Sequence, residues 1–315
     1  MDYEMIWRQF PKTVVEFDAR FPDDDACRRF LVDVRWGGRP RCTRCGSEKM
    51  WELGSGRFEC SVCGYQMSVT AGTPLHKTKK PLKLWFRAMW EIATHWNGIS
   101  AKDLQRTLGF GSYKTAWTWL HKLRRCLVRP DREPLRGPVQ LDDTYIGGKD
   151  GRPGRPKGNK ALVLVAAEPN GRVRLEHSPD LTKKSVRSFA ERNLAESTAV
   201  TTDGYRSFSA KSLSPRKHEQ HVQRQKRHIK NDPLQHAHFA MALVKRMWIG
   251  TYHGGVSRKY LQTYLDEFEF RYNRRKTRGV GRLMARLLQQ LVNAGTITYD
   301  NIRITTTTFQ RFETA

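Results

Sequence analysis

Two short motifs, Cys42-Thr43-Arg44-Cys45-Gly46 and Cys60-Ser61-Val62-Cys63-Gly64, constrain the fold of this chain more than any other feature. Each presents two thiols across a tight turn, and the glycine that follows permits the backbone conformation such a turn needs. Four thiolates at this spacing suit one tetrahedral Zn2+. A redox Cys-x-x-Cys pair would not come in duplicate at this separation. Trp51 and Phe58, in the hairpin-length interval, are suited to the two strands of a zinc ribbon. Four protein ligands leave no open position for chemistry, so the ion is structural and holds a module too small to fold unaided. Cys27 reads instead as a buried small hydrophobe on a helix.

Lys and Arg number 57 against 31 Asp and Glu, a net charge of +26 and a pI of about 10.2. Such a charge predicts affinity for a polyanion. Nucleic acid fits best, because basic residues occur in every part of the chain rather than in one tail. An anionic membrane is disfavoured, since no apolar run approaches the roughly 20 residues of a membrane helix. The opening Met1-Asp2-Tyr3-Glu4-Met5 lacks the basic-then-apolar pattern of a signal peptide. The expectation is a soluble, cytoplasmic protein.

The chain divides into segments of different character. Residues 1–40 read as helical, with Phe10, Val14, Phe17, Phe21, Phe30 and Leu31 as apolar contacts and a helix start at Pro22-Asp23-Asp24-Asp25. The ribbon takes residues 41–72. Within 80–130, Pro81 opens a helix carrying Leu82, Trp85, Phe86, Met89 and Ala93 at helical spacing. Ser100 and Asp103 imitate a capping box, Gly109 and Gly111 break the chain, and Ser112 can cap a second amphipathic helix. Short helix, glycine turn and amphipathic helix make a helix-turn-helix pattern, which an ordinary helical hairpin would also satisfy. If the last helix enters the major groove, Tyr113, Lys114, Thr115 and Thr118 lie at its leading end. Lys122, Arg124 and Arg125 tilt the reading toward DNA.

Residues 136–278 alternate strand and helix. Val139-Gln140-Leu141-Asp142 opens a strand that runs into Gly147-Gly148. A polar basic loop follows, in which Arg152, Arg155 and Lys157 are available to phosphates. Leu162–Ala167 and Val173–Glu176 read as strands two and three, Ser185–Leu194 as a helix, and Ala199-Val200-Thr201-Thr202-Asp203 as strand four. Three antiparallel strands, a helix, then a strand beside the first is the order of a ribonuclease-H-like core. Residues 279–315 hold a helix around Leu283–Val292 and a Thr-rich tail. The fold class expected is a multidomain α+β chain: helical segment, zinc ribbon, helix-turn-helix, then this α/β core with C-terminal helices.

Asp142 and Asp203 are two acids at strand ends, far apart in sequence, and such ends can bring carboxylates to a shared divalent metal. Either acid alone also fits a turn or cap. His238 and Lys245 lie on one face of a helix, two turns apart, where they could meet the metal and a DNA phosphate, or simply pack and be solvated.

The chain resembles the bacterial insertion-sequence transposases of the ISXO type, which join a zinc ribbon and a helix-turn-helix to an integrase-like catalytic domain. The resemblance rests on the order of the two knuckles, Gly98-Ile99-Ser100-Ala101-Lys102-Asp103-Leu104, Asp142-Asp143-Thr144-Tyr145-Ile146-Gly147-Gly148, Thr202-Asp203-Gly204-Tyr205, Lys245-Arg246, Gly250-Thr251-Tyr252-His253 and Tyr264-Leu265-Asp266-Glu267-Phe268. It implies that Asp142 and Asp203 are the first two ligands of catalytic Mg2+ or Mn2+. The third position, Glu in some members and Asn or His in others, with Lys seven residues later, falls on His238 and Lys245. Asp143 then lies on the opposite face of the strand.

Histidine departs from the three-carboxylate pattern: neutral imidazole is a poor magnesium ligand and suits manganese better. His238 could instead position water or phosphate, with a response to pH near neutrality. Glu219 and Asp232 are nearby acids able to supply the missing oxygen, though neither fits the family's spacing. The implied chemistry is in-line displacement at phosphorus by two ions roughly 4 Å apart. The implied partners are double-stranded DNA, as terminal inverted repeats and as target, and further copies of the chain assembled on it near the nucleoid. A regulator that keeps the DNA-binding parts and lacks catalysis is the alternative.

Overall fold

A computed structural model describes residues 10–129, 131–147, 160–222, 232–279 and 281–304. They form two compact units, Met1–Arg129 with Lys276–Ala315, and Pro130–Arg275.

In the first unit, helices begin where the sequence supplies caps. The Thr13 hydroxyl accepts the Glu16 N–H to start α1 (Val14–Arg20), and the Asp23 carboxylate accepts the Ala26 N–H at 2.8 Å to start α2 (Asp24–Trp36). The ribbon has three antiparallel strands rather than two: β1 (Met50–Glu52), β2 (Phe58–Cys60) and β3 (Gln66–Met67), in that order. Three helices follow, α3 (Leu82–Thr94), α4 (Ala101–Leu108) and α5 (Tyr113–Arg125). Ser100 caps α4 and left-handed Gly109 ends it. Ser112 stands at the start of α5, but its hydroxyl makes no capping bond. The core is aromatic: Phe10, Phe21, Phe30 and Phe86 meet edge to face or tilted, and Trp85 stacks on Trp119 with centroids 3.5 Å apart.

The second unit is built on a five-stranded sheet. Its elements are β4 (Val139–Ile146), β5 (Ala161–Ala167), β6 (Val173–Ser178), α6 (Lys183–Asn193), β7 (Ala199–Asp203), α7 (Ala210–Leu213), β8 (Lys217–His221), α8 (Gln235–Tyr252) and α9 (Leu261–Tyr272). The strand order is β6-β5-β4-β7-β8. The first three pair antiparallel, while β7 lies parallel to β4 and β8 parallel to β7. This is the topology expected of a ribonuclease-H-like core, with one strand, β8, added at the edge. Both faces of the sheet are covered, which is why β5 is apolar without alternation. Val139, Leu141, Leu164, Ala166 and Val200 pack with Val186 and Phe189 of α6. Ile146, Val163 and Val165 pack with Ala237, Met241 and Val244 of α8 and Leu265 of α9.

The chain then returns to the first unit. Helices α10 (Gly281–Val292) and α11 (Tyr299–Ile304) pack on α3 and α5 respectively. Gly281 is a close approach: a Cβ there would sit 1.7 Å from the Pro11 carbonyl oxygen, so only glycine fits. No helix among the described residues is long and apolar enough to cross a membrane.

Candidate active site and metal centre

Strand alternation decides where the acids point. Val139, Leu141 and Val200 face α6, so Gln140 and Asp142 on β4, and Asp203 on β7, face α8. The parallel register pairs Val139 with Val200, Gln140 with Thr201 and Leu141 with Thr202. Continued by one residue, this register would bring Asp142 and Asp203 to neighbouring positions on the same face of the sheet. Across β8, the register sets His221 beside Asp203 on the same face. Asp143 points the other way, as the sequence implied, and its N–H donates to Asp142 Oδ1 at 2.8 Å.

Helix α8 lies against β4 and β5 and brings His238 to Asp142, with Nε2 3.1 Å from Oδ2. The other ring nitrogen, Nδ1, is 2.5 Å from Asp232 Oδ2. The bond to Asp142 raises the His238 pKa to about 9, helped by the bond and charge of Asp232 and opposed by desolvation. The titration expected near neutrality is therefore displaced upward, because two carboxylates hold the imidazolium. Lys245 is exposed on the same helix face, about 10 Å further along its axis. Asp203 Oδ1 accepts the Tyr205 N–H at 3.0 Å in a turn at the strand end. Glu219 lies on β8, with its carboxylate 3.0 Å from His221 Nε2.

The donors beside α8 are of the kind a hard divalent ion takes: carboxylates from two strands and an imidazole from a helix. Asp142 and His238 meet at 3.1 Å, and with Asp203 they do not form a group of three ligand atoms all within 4.8 Å. Among the described residues, Cys42, Cys45, Cys60 and Cys63 are the one group of three or more ligand atoms all within 4.8 Å of each other. Their Sγ atoms fit zinc closely: Cys42 to Cys63 is 3.7 Å and Cys45 to Cys60 is 3.6 Å. A tetrahedron with Zn–S of about 2.3 Å has edges of about 3.8 Å. Gly46 and Gly64, at φ 76 and 64, each donate back to the first cysteine carbonyl of their knuckle at 2.9 Å. Desolvation works against ionisation of the Cys60 thiol, but the N–H groups of Cys63 and Val62 win and draw it down to about 6.

Residues 134–273 match the ISXO2-like transposase domain, and residues 22–66 match the transposase zinc-ribbon domain. Together the matches take in more than half of the chain. It belongs to the IS1595-type insertion-sequence transposases. No curated protein matches it. The zinc-ribbon match contains both knuckles and the hairpin between them, and with the sulfur geometry it supports a structural Zn2+.

In the segment that the sequence reads as a helix-turn-helix, the expected DNA contacts of the transposase separate by environment. Tyr113 and Lys114 are exposed at the start of α5, and the Lys114 ammonium lies 4.4 Å from the centroid of the Tyr299 ring. Thr115 and Thr118 are half-buried, and the Thr118 hydroxyl donates to the Lys114 carbonyl at 2.7 Å. Lys122 is turned inward. Its Nζ donates to the Pro74 carbonyl at 2.8 Å, and burial lowers its pKa. Arg124 is buried and donates to the Ile99 carbonyl, while Arg125 donates to that of Asn301. These three cations thus each donate to a backbone carbonyl of the chain itself, Arg125 through an exposed bond. Arg152, Arg155 and Lys157 lie outside the described residues.

One residue that sequence reasoning passed over organises the site. Gln140 Oε1 accepts the N–H groups of His236 at 2.7 Å and Ala237 at 3.2 Å, pinning the start of α8 to β4. Its signal was its position, two residues before Asp142 on the same face of the strand.

Proposed function

We propose that this chain is an active DNA transposase that binds the terminal inverted repeats of a bacterial insertion sequence and catalyses metal-dependent phosphodiester hydrolysis and strand transfer. The observation that carries the reading is the parallel β4–β7 register, whose continuation by one residue would bring Asp142 beside Asp203 on the sheet face opposite α6. Both carboxylates, with His238 as the third donor, would hold Mg2+ or Mn2+. Such ions, when bound, supply the Lewis acidity that activates an attacking oxygen and stabilises a leaving one. Lys245 offers its ammonium to a flanking phosphate and so orients the strand. The zinc ribbon and the exposed start of α5, at Lys114 and its neighbours, would read the element ends. The basic surface, including Arg152, Arg155 and Lys157, would hold target DNA, with two or more copies of the chain acting together in the cytoplasm.

A second reading, a regulator that binds DNA without catalysis, has one observation in its favour: a histidine stands at the third position and is ion-paired with Asp142. A strand-transfer assay on a terminal-repeat duplex with Mg2+ or Mn2+ separates the two. The proposal expects product from the wild type and at least a hundred-fold loss, on the order of what loss of a catalytic electrostatic group costs, in Asp142→Asn and Asp203→Asn. Tight repeat binding with equal, negligible product from all three proteins would establish the regulator instead.

A further inference from the structure

The His238 side chain is 43 % exposed, and an imidazole on an open helix face has rotamers to choose from. Here it has lost that choice. Asp232 Oδ2 takes Nδ1 at 2.5 Å on one side, while Nε2 faces Asp142 Oδ2 at 3.1 Å on the other. Asp232 is itself fixed: its Oδ1 accepts the Leu234 N–H at 2.9 Å, and its carbonyl accepts the Gln235 N–H at 3.3 Å as α8 begins. One carboxylate thus ties the helix start to the ring six residues on.

We propose that Asp232 is a positioning residue of the catalytic metal site, accepting Nδ1–H from His238 so that Nε2 is committed to the side of Asp142. The inference rests on reading Asp142 and Asp203 as metal-holding residues. Both ring nitrogens face carboxylates; when a divalent ion binds on the Asp142 side, the nitrogen held by Asp232 would keep its proton and Nε2 would give the ion its lone pair. Metal-bound histidines recurrently pair in this way with a carboxylate behind them, which fixes the ring and raises its basicity. The arrangement explains how a chain with histidine in place of glutamate keeps a competent third donor. The extra acid does not reach the metal itself but acts through the ring. Glu219, the other acid near in sequence, has its carboxylate at His221 on β8 instead.

The test uses the full-length, zinc-loaded chain without DNA and reads metal rather than turnover. Mn2+ binding is titrated by electron paramagnetic resonance, and spin-echo modulation reports imidazole nitrogen on the bound ion. The wild type should bind Mn2+ with nitrogen modulation that His238→Ala removes. Asp232→Ala should weaken binding about ten-fold or more and lose the modulation. Asp232→Asn, whose amide oxygen still accepts from Nδ1, should stay within about three-fold. Wild-type affinity and modulation in Asp232→Ala would overturn the proposal. So would an equal loss in Asp232→Asn, since charge rather than positioning would then be the cause. Should Asp232→Ala melt early, histidine 15N spectra of the Mg2+-loaded wild type give the same decision: a proton on Nδ1 of His238 is expected, and one on Nε2 refutes it. If the wild type binds no Mn2+, or Asp142→Asn binds it equally well, the metal-site reading itself fails and takes this inference with it.

Discussion

Gln140 and His236 are joined by a side chain acting as a helix cap: the Gln140 amide oxygen on β4 accepts the first free N–H groups of α8 at 2.7 Å and 3.2 Å. Because Gln140 and Asp142 share a strand face, this bond sets the height of α8 above the acids and so the reach of His238. Gln140→Ala should cost about 1 kcal/mol of stability, as loss of a cap does. It should cut strand transfer far more, by about ten-fold to a hundred-fold, because small misplacements of reacting groups are expensive. Gln140→Glu keeps an acceptor at a helix N-terminus and should retain most of both. Urea midpoints and transfer rates check this, and a wild-type rate in the alanine variant would show that α8 is held without the cap.

The cysteine cluster ties metal content to folding. Cys60 is both a ligand atom and the last residue of β2, paired with Met50. Replacing it with serine should abolish stoichiometric zinc by mass spectrometry. The ribbon's buried contacts, including the edge-on pair of Trp36 and Phe58, should be lost with it. Chelation of the wild type should lower its melting temperature and re-addition of Zn2+ should restore it. A chelated protein with unchanged melting would mean that the strands stand without the ion.

The difference between what was legible in the sequence and what was not is physical. The knuckles were legible because their constraint is local: two thiols and a glycine within five residues determine a turn. Asp142 and Asp203 were legible as acids at the ends of apolar strands, but their adjacency comes from a parallel register, which no single strand encodes. Strand β8 was missed because Lys217, Glu219 and Gln220 are polar on both faces at the sheet edge, so no alternation marks it. The ion pair of His238 with Asp232 depends on how the chain turns into a helix start. Charge was the least informative signal: Lys122 and Arg124 look like DNA contacts until their carbonyl partners are seen.

Two lysines eight residues apart on α5 differ in the same way. Lys114 is exposed, whereas Lys122 donates to Pro74. If α5 contacts the repeat, Lys114→Ala should weaken binding and reduce the salt dependence of log K by about one unit. Lys122→Ala should leave that slope alone and lower thermal stability, by about 1 kcal/mol for a lost hydrogen bond. Binding isotherms at several salt concentrations, with melting curves, measure both. Equal slope changes in the two variants would place Lys122 on the DNA after all.

His121, one turn beyond Trp117 on α5, is fully buried, and its pKa is held well below 6.5 by desolvation first and then by Arg124 and Arg125. The unfolded chain takes up a proton at about 6.5, while the folded chain refuses it until lower pH. Between those values the unfolded state binds more protons, so the contribution is full above about 6.5 and is lost as pH falls. One pH unit below that value the loss approaches ~1.4 kcal/mol. His121→Gln, which cannot titrate, should lack this component. Denaturant midpoints of the two proteins at about pH 7.5 and about one unit below the unfolded pKa isolate it, because acid effects on zinc are common to both. Parallel pH dependences would mean that the buried imidazole finds its proton in the folded state, and that burial beside Arg124 and Arg125 does not hold it neutral.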